Sequence, residues 1–328
     1  MTITLALTPG SLHGVGPELM LKAMTNHEFA DCVRFVWCGG EQSLALASAC
    51  SGIAVQIIDK NRAVIDNRLT LHFMDDAPLM LSQEIWSLNH AVRLGKTREI
   101  DAIVTGPVDK ACLINVDGQS FRGQTEFFSH HLGGEKPAMM TFMGGPFIMS
   151  LLTTHLPLAE VARSITSHRL ENHVRSVAFY AGRILNKDQR AVSIVVLGIN
   201  PHAGEDSLLG HEEEEVVKPV IAALCADGFY VRGPVPADGF FAYFHEWSKD
   251  SIPDVVVAMY HDQGLIAYKL LAKGCGVNVT LGLSVPRLSP AHGTATELTG
   301  TGRACPKSSS QAILLAAQMA EKRRFDIR

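Results

Sequence analysis

The chain has 328 residues, 47% hydrophobic and 19% charged, so it can bury the core of one large domain or two ordinary ones and is no disordered tail. Twenty-nine basic residues against 33 acidic ones give a net charge of −4, which argues against charge-driven binding to nucleic acid or an anionic membrane. The seven cysteines, an odd number without a CxxC pair, argue against a disulfide framework and a cysteine-type zinc site, and for free thiols in a reducing cytosol. The N-terminal Met1-Thr2-Ile3-Thr4-Leu5-Ala6-Leu7 has no basic n-region and does not read as a signal peptide. The most apolar stretch, Ala138 to Leu152, is interrupted by Gly144-Gly145-Pro146 and falls short of the ~20 residues of a membrane-spanning helix. A soluble cytoplasmic protein is expected.

In chain order, strands are predicted at Thr2–Thr8, Val33–Cys38, Ala102–Thr105, Phe147–Thr153, Val192–Leu197 and Val255–Met259. The last two show no apolar/polar alternation, as suits strands covered on both faces in a largely parallel sheet. Helices are predicted over Leu81–Leu94, His168–Ile184, Glu212–Ala226 and Ser308–Lys322, and the Gly10–Pro17 segment should open another with Pro17 in its first turn. Such alternation indicates an α/β fold. The linkers are too short to mark a clean boundary. If there are two domains, the chain should cross between them more than once.

Three histidines share one setting. His155, His202 and His261 each lie just past the C-terminal end of an apolar strand, on a turn with Pro or Gly, and ligand sites of parallel α/β sheets are built on that edge. Imidazole suits zinc and other divalent transition metals, and three such ligands leave a position open for substrate. Among 14 histidines most are ordinary solvated or hydrogen-bonded residues, so pattern alone leaves both readings open.

Lys269, Asn278 and Arg287 follow at even spacing. A point charge, an amide and a guanidinium fork suit a phosphorylated or carboxylated substrate, although ordinary surface charges would look the same. The segment from His292 to Gly302 is rich in Gly and Thr, which lets backbone approach a flat ligand. GxGxxG, Walker A, GxSxG, HExxH and EF-hand patterns are missing, so a Rossmann dinucleotide site is not supported. Glu212–Glu215 reads most simply as a solvated helix start, and Phe127-Phe128 and Met139-Met140 as core.

Together these segments resemble the 4-hydroxythreonine-4-phosphate dehydrogenase family of pyridoxal phosphate biosynthesis. The resemblance runs nearly end to end and is carried by Thr105-Gly106-Pro107-Val108-Asp109-Lys110, Gly123-Gln124-Thr125-Glu126, Thr153-Thr154-His155-Leu156-Pro157, Asn200-Pro201-His202-Ala203-Gly204-Glu205, Met259-Tyr260-His261-Asp262-Gln263-Gly264 and His292-Gly293-Thr294-Ala295. It implies the two-domain α/β architecture of isocitrate and isopropylmalate dehydrogenases, as two interwoven subdomains with a cleft between them and at a homodimer interface. By this resemblance His155, His202 and His261 match metal ligands, with His261 reaching in from the partner subunit. Gln124, Thr125, Lys269, Asn278 and Arg287 match substrate contacts, and His292, Gly293, Thr294, Ala295 and Gly300 match an adenosine-binding loop for NAD(P). Asp262 and Lys269 are the candidate catalytic residues, with Asp238 a weaker candidate beside the metal.

The resemblance implies metal-dependent oxidation of 4-phosphohydroxy-L-threonine at its secondary hydroxyl, then decarboxylation to 3-amino-2-oxopropyl phosphate. Zinc is the foremost metal, with cobalt, nickel, magnesium or manganese as alternatives. Two departures bear on the substrate. Gln124 stands where the family carries His, and Ser11-Leu12-His13 replaces its Asp/Glu-Pro-Ala. Other readings are a dehydrogenase of threonate or erythronate 4-phosphate or of a cis-dihydrodiol, a three-histidine metallohydrolase, and a non-catalytic binding protein.

Overall fold

The computed structural model describes residues 2–25, 33–67, 69–74, 82–114, 116, 118–134 and 137–326, with the backbone alone for 323–326. The chain divides into two compact units, Met1–Ala138 with Val277–Arg328, and Met139–Gly276.

The first unit begins with strand β1 (Ile3–Thr8), helix α1 (Gly16–Met24), β2 (Val33–Trp37), α2 (Glu41–Ser51) and the strands β3 (Val55–Asp59), β4 (Arg62–Ile65) and β5 (Leu69–Phe73). Helix α3 (Gln83–Lys96), β6 (Ala102–Thr105) and α4 (Gln124–Leu132) follow. The second unit contributes β7 (Met139–Met143), β8 (Ile148–Leu151), α5 (Leu158–Ser164), α6 (Ser167–Leu185), β9 (Ile194–Leu197), α7 (Lys218–Ala226), β10 (Val231–Val235), α8 (Ala237–Ala242), β11 (Val255–Ala258) and α9 (His261–Ala272). The chain then returns to the first unit with β12 (Val277–Leu281), β13 (Arg287–Pro290) and α10 (Lys307–Asp326).

In the first unit the strands lie in the order β12-β13-β6-β1-β2-β5-β4-β3. The run from β13 to β5 is parallel, and the antiparallel β4 and β3 extend it at one edge. In the second unit the order is β10-β9-β11-β8-β7, parallel from β10 to β8. The parallel strands β8, β9 and β11 are wholly buried, which is why they read as unbroken apolar runs. Their flanking helices are amphipathic. Helix α6 buries Leu170, Val174, Val177, Ala178 and Ala181 at three- and four-residue spacing, starts at Thr166, whose hydroxyl accepts the Arg169 amide, and stops at the left-handed Asn186.

The predicted strands and helices are present, with ends shifted by a few residues; Leu81 lies outside the described residues. One predicted helix differs. Glu212–Ala226 is a π-helical turn over Glu213–Val217 that feeds α7, with consequences described below. Phe127, Phe128, Met139 and Met140 are core, as expected. No helix among the described residues is long and apolar enough to cross a membrane.

Candidate metal and anion sites

In the second unit, His155, His202 and His261 follow β8, β9 and β11, on the carboxyl edge of the parallel strands. Backbone and side-chain bonds lace these strand ends together. The Thr153 hydroxyl donates to the Met259 carbonyl at 2.6 Å, and the Leu152 amide to the Ala258 carbonyl at 2.9 Å. Gln263, in the first turn of α9, accepts from the Met259 amide at 2.7 Å and donates to the Gly198 carbonyl at 2.6 Å. One side chain thus ties the end of β11 to the end of β9. Helix α9 can approach this closely because of Gly264, where a Cβ would stand 2.9 Å from the Ala258 Cβ and the Met149 sulfur.

His155 and His261 come together within one chain, their ring centroids 6.0 Å apart. His261 opens α9, and its Nδ1 lies 2.7 Å from the Asp262 carboxylate. A carboxylate there fixes the ring and its tautomer and leaves Nε2 to coordinate. His202 stands on a left-handed turn with φ 52°. Helix α8, which carries the exposed Asp238, packs against that turn. Among the described residues of one chain, no three His, Cys, Asp or Glu side chains converge enough to hold an ion. In donor type the set fits a divalent transition metal. In position the chain brings His155 and His261 together, and does not join His202 to them. Lys269 is exposed on α9, two helical turns beyond His261, with no ion pair among the described residues.

The first unit holds a different centre. Arg287, at the start of β13, is only 2% exposed. Its Nε donates to the Thr105 hydroxyl at 3.1 Å, its Nη2 to Gln124 Oε1 at 2.7 Å, and its Nη1 to the Thr280 hydroxyl at 3.5 Å. The Phe128 ring lies 5.6 Å from the guanidinium carbon. Burial pushes the Arg287 pKa down to about 9, against a smaller opposing pull from Glu126. No carboxylate is hydrogen-bonded to the guanidinium among the described residues, so this is a buried cation held by neutral groups, an arrangement that favours an anionic ligand. Gln124 opens α4, and its amide also donates to the Gly106 carbonyl at 3.0 Å. Thr125 is half-buried beside it. Asn278 on β12 has a buried Oδ1 without a hydrogen-bond partner among the described residues.

The loop from His292 interlocks with the loop after β1. The Val15 amide donates to the Thr294 carbonyl at 2.9 Å, and the Thr299 hydroxyl to the His13 carbonyl at 3.0 Å. A Cβ on Gly14 would stand 2.7 Å from the Thr294 oxygen. Pro17 sits in the first turn of α1, as its position predicts. His292 Nδ1 lies 2.9 Å from the Gly293 carbonyl, while its buried Nε2 has no partner among the described residues. That orphaned atom, with the small residues around it and positive φ at Ala295 and Gly300, fits the polar edge of a flat ligand such as adenine.

Two residues that hold these loops were not legible in the sequence. Gln263 lies in the Met259–Gly264 stretch quoted above, but nothing in that stretch shows that it bridges β11 and β9. Glu213 overturns the solvated-helix-start reading, because it is fully buried while Glu214 and Glu215 remain partly or fully accessible. The signal that could have found it is the pair Gly198 and Gly204, both small where the Glu213 carboxylate packs.

A parallel α/β scaffold that sets imidazoles along the sheet edge of one unit and a buried guanidinium in the other defines an α/β protein of the ligand-binding kind. Residues 47–316 match the family model described as pyridoxal phosphate biosynthetic protein PdxA, and the chain belongs to that family. It is 38% identical over 327 residues to the 4-hydroxythreonine-4-phosphate dehydrogenase of Chromobacterium violaceum, covering 96% of each chain. Its fold matches the crystal structure of the 4-hydroxythreonine-4-phosphate dehydrogenase of Klebsiella pneumoniae with a TM-score of 0.78 and 31% identity, over 98% of both chains. A terephthalate 1,2-cis-dihydrodiol dehydrogenase from Burkholderia xenovorans aligns at a TM-score of 0.59 and 25% identity, over 97% of this chain and 98% of that one.

Proposed function

We propose that this chain is a metal-dependent NAD(P) dehydrogenase that oxidises 4-phosphohydroxy-L-threonine at its secondary hydroxyl, with decarboxylation to 3-amino-2-oxopropyl phosphate. Relatives of the same length carry that enzyme's name. The observation within the chain that carries the reading is Arg287, a buried cation without a hydrogen-bonded carboxylate, which an anionic substrate group would neutralise.

When bound, a divalent ion, zinc foremost, would polarise the secondary hydroxyl, and the nicotinamide would accept hydride. The chain's own residues do the rest. His155, His202 and His261 supply imidazole donors, and Asp262 holds His261 by its Nδ1. Gln124 and Thr105 fix the Arg287 fork against rotation, so the anion meets a pre-set donor. Lys269 adds an exposed point charge, and Asn278 offers a carbonyl oxygen that is unmatched among the described residues. The interlocked loop of His292, Gly293, Thr294, Ala295 and Gly300 receives the adenosine end of NAD(P).

A second subunit would complete the donor set in this reading. Ile266 and Leu270, one turn apart on α9, are 65% and 75% exposed on the helix that carries His261, an apolar stripe suited to a homodimer contact. A cytoplasmic location accords with this chemistry.

The test is NADH formation by the purified protein with 4-phosphohydroxy-L-threonine, threonate 4-phosphate, erythronate 4-phosphate and a cis-dihydrodiol, each with several metals. Turnover of 4-phosphohydroxy-L-threonine alone supports the reading, and turnover confined to another substrate reassigns it. NAD titration of the metal-loaded protein separates a dehydrogenase from a metallohydrolase, which would not bind it.

A further inference from the structure

His202 begins an unusual backbone segment. His202, Ala203, Gly204, Glu205, Asp206 and Ser207 all have positive φ, at 52°, 52°, 84°, 43°, 53° and 72°. Residues with a Cβ disfavour this region, so a run of them persists only where the surroundings fix it. Glu213 clamps the residues that lead into this segment. Its side chain is fully buried, and Oε1 accepts the backbone amides of Ile199 and Asn200, both at 2.8 Å. Its Oε2 accepts from Asn200 Nδ2 at 2.8 Å, and the same nitrogen donates to Glu212 Oε2 at 2.8 Å.

The carboxylate also packs closely against Gly198, ahead of the turn, and Gly204, within it. A Cβ on Gly198 would lie 3.2 Å from Glu213 Oε1, and one on Gly204 2.9 Å from Oε2. The π-helical turn over Glu213–Val217 leaves Glu213 buried beside its half-buried neighbour Glu212. No ion pair to Glu213 exists among the described residues, so its buried carboxyl group is committed to the amides that lead into His202.

We infer that Glu213 is a positioning residue: its carboxylate holds the strained 202–207 turn in the conformation that makes His202 competent to bind metal. The inference rests on the proposed reading of His202 as a ligand.

Cobalt(II) titration of the metal-free protein, read by the visible absorption of the bound ion, tests both. Glu213→Gln should weaken cobalt binding by about 10- to 100-fold, as loss of a group supporting a metal ligand does. His202→Ala should weaken it at least as much. Ala203→Gly discriminates the mechanism, because glycine occupies the left-handed region without strain. In the Glu213→Gln/Ala203→Gly double variant a substantial part of the lost affinity should return. A carboxylate that acted through its charge alone would show the same loss with either residue at 203, which overturns the inference. Unchanged affinity in Glu213→Gln, with His202→Ala impaired, overturns the inference and leaves the ligand reading standing. Unchanged affinity in His202→Ala overturns the ligand reading itself. Should Glu213→Gln fail to fold by circular dichroism, Asn200→Ala removes only the side-chain half of the clamp and should weaken cobalt binding to a smaller degree; unchanged affinity there overturns the inference.

Discussion

Gln124 and Arg287 form a fixed pair, the amide oxygen accepting from Nη2 at 2.7 Å while the amide nitrogen is engaged by the Gly106 carbonyl. The second bond orients the first, since an amide whose nitrogen is anchored can present only its oxygen to the guanidinium. An imidazole at position 124 could carry a proton and repel Arg287, whereas glutamine keeps the site's charge independent of pH in the neutral range.

Removing the Arg287 charge should therefore separate binding from stability. Arg287→Met is expected to raise the KM for a phosphorylated substrate by at least about tenfold, through loss of a charge-assisted contact. Unfolding stability should fall by less than the ~3–5 kcal/mol typical of breaking a buried ion pair, because no hydrogen-bonded carboxylate is left behind. Urea denaturation and steady-state kinetics on the same variant check both halves. An unchanged KM would remove Arg287 from the anion site.

In the proposed reading Asp262 acts through His261. Asp262→Asn can keep a hydrogen bond to Nδ1 and removes the negative charge that would strengthen the imidazole as a ligand. The expected result is a loss of metal affinity of about tenfold, with little change in stability because the pair is accessible to solvent. Calorimetric zinc titration measures it, and equal affinity in the two proteins would leave Asp262 without a role.

Gly14 tests the interlocked loops. A methyl group there would lie 2.7 Å from the Thr294 oxygen, closer than any real contact, so Gly14→Ala must push the two loops apart. NAD binding should weaken several-fold while cobalt affinity stays unchanged, since the histidines belong to the other unit. Loss of both affinities together would point to general unfolding and against a separate nucleotide loop.

Legibility in the sequence followed burial. The wholly buried β9 and β11 announce themselves as apolar runs, whereas β3 is exposed along nearly all its length and gives no such signal. The β10 sequence Val231-Arg232-Gly233-Pro234-Val235 contains the residues that usually mark turns, and so hides a strand. Helix α9 was masked in the same way by Gly264, which is there for close packing on β8 and β11. The places of His155, His202 and His261 after β8, β9 and β11 were readable because strand ends are readable. Glu213 was not, because four consecutive glutamates look alike until a π turn decides which of them is buried.

His173 sets an acid limit on stability. It lies on α6 against Ser150 of β8, its Nε2 2.8 Å from the hydroxyl, and burial, with a smaller contribution from Arg169, pushes its pKa down to about 4. In the unfolded chain a histidine titrates near 6.5. Between these values the unfolded state binds more protons than the native one, so stability is complete above about pH 6.5 and is lost as the pH falls toward 4. From pH 7 to pH 5 this one group should cost roughly 1–2 kcal/mol. His173→Gln can keep a hydrogen bond to Ser150 and has no proton to gain. Urea denaturation of both proteins at pH 7 and pH 5 should show a steeper acid loss in the wild type by that amount, and parallel losses would remove His173 as the origin of the acid limit.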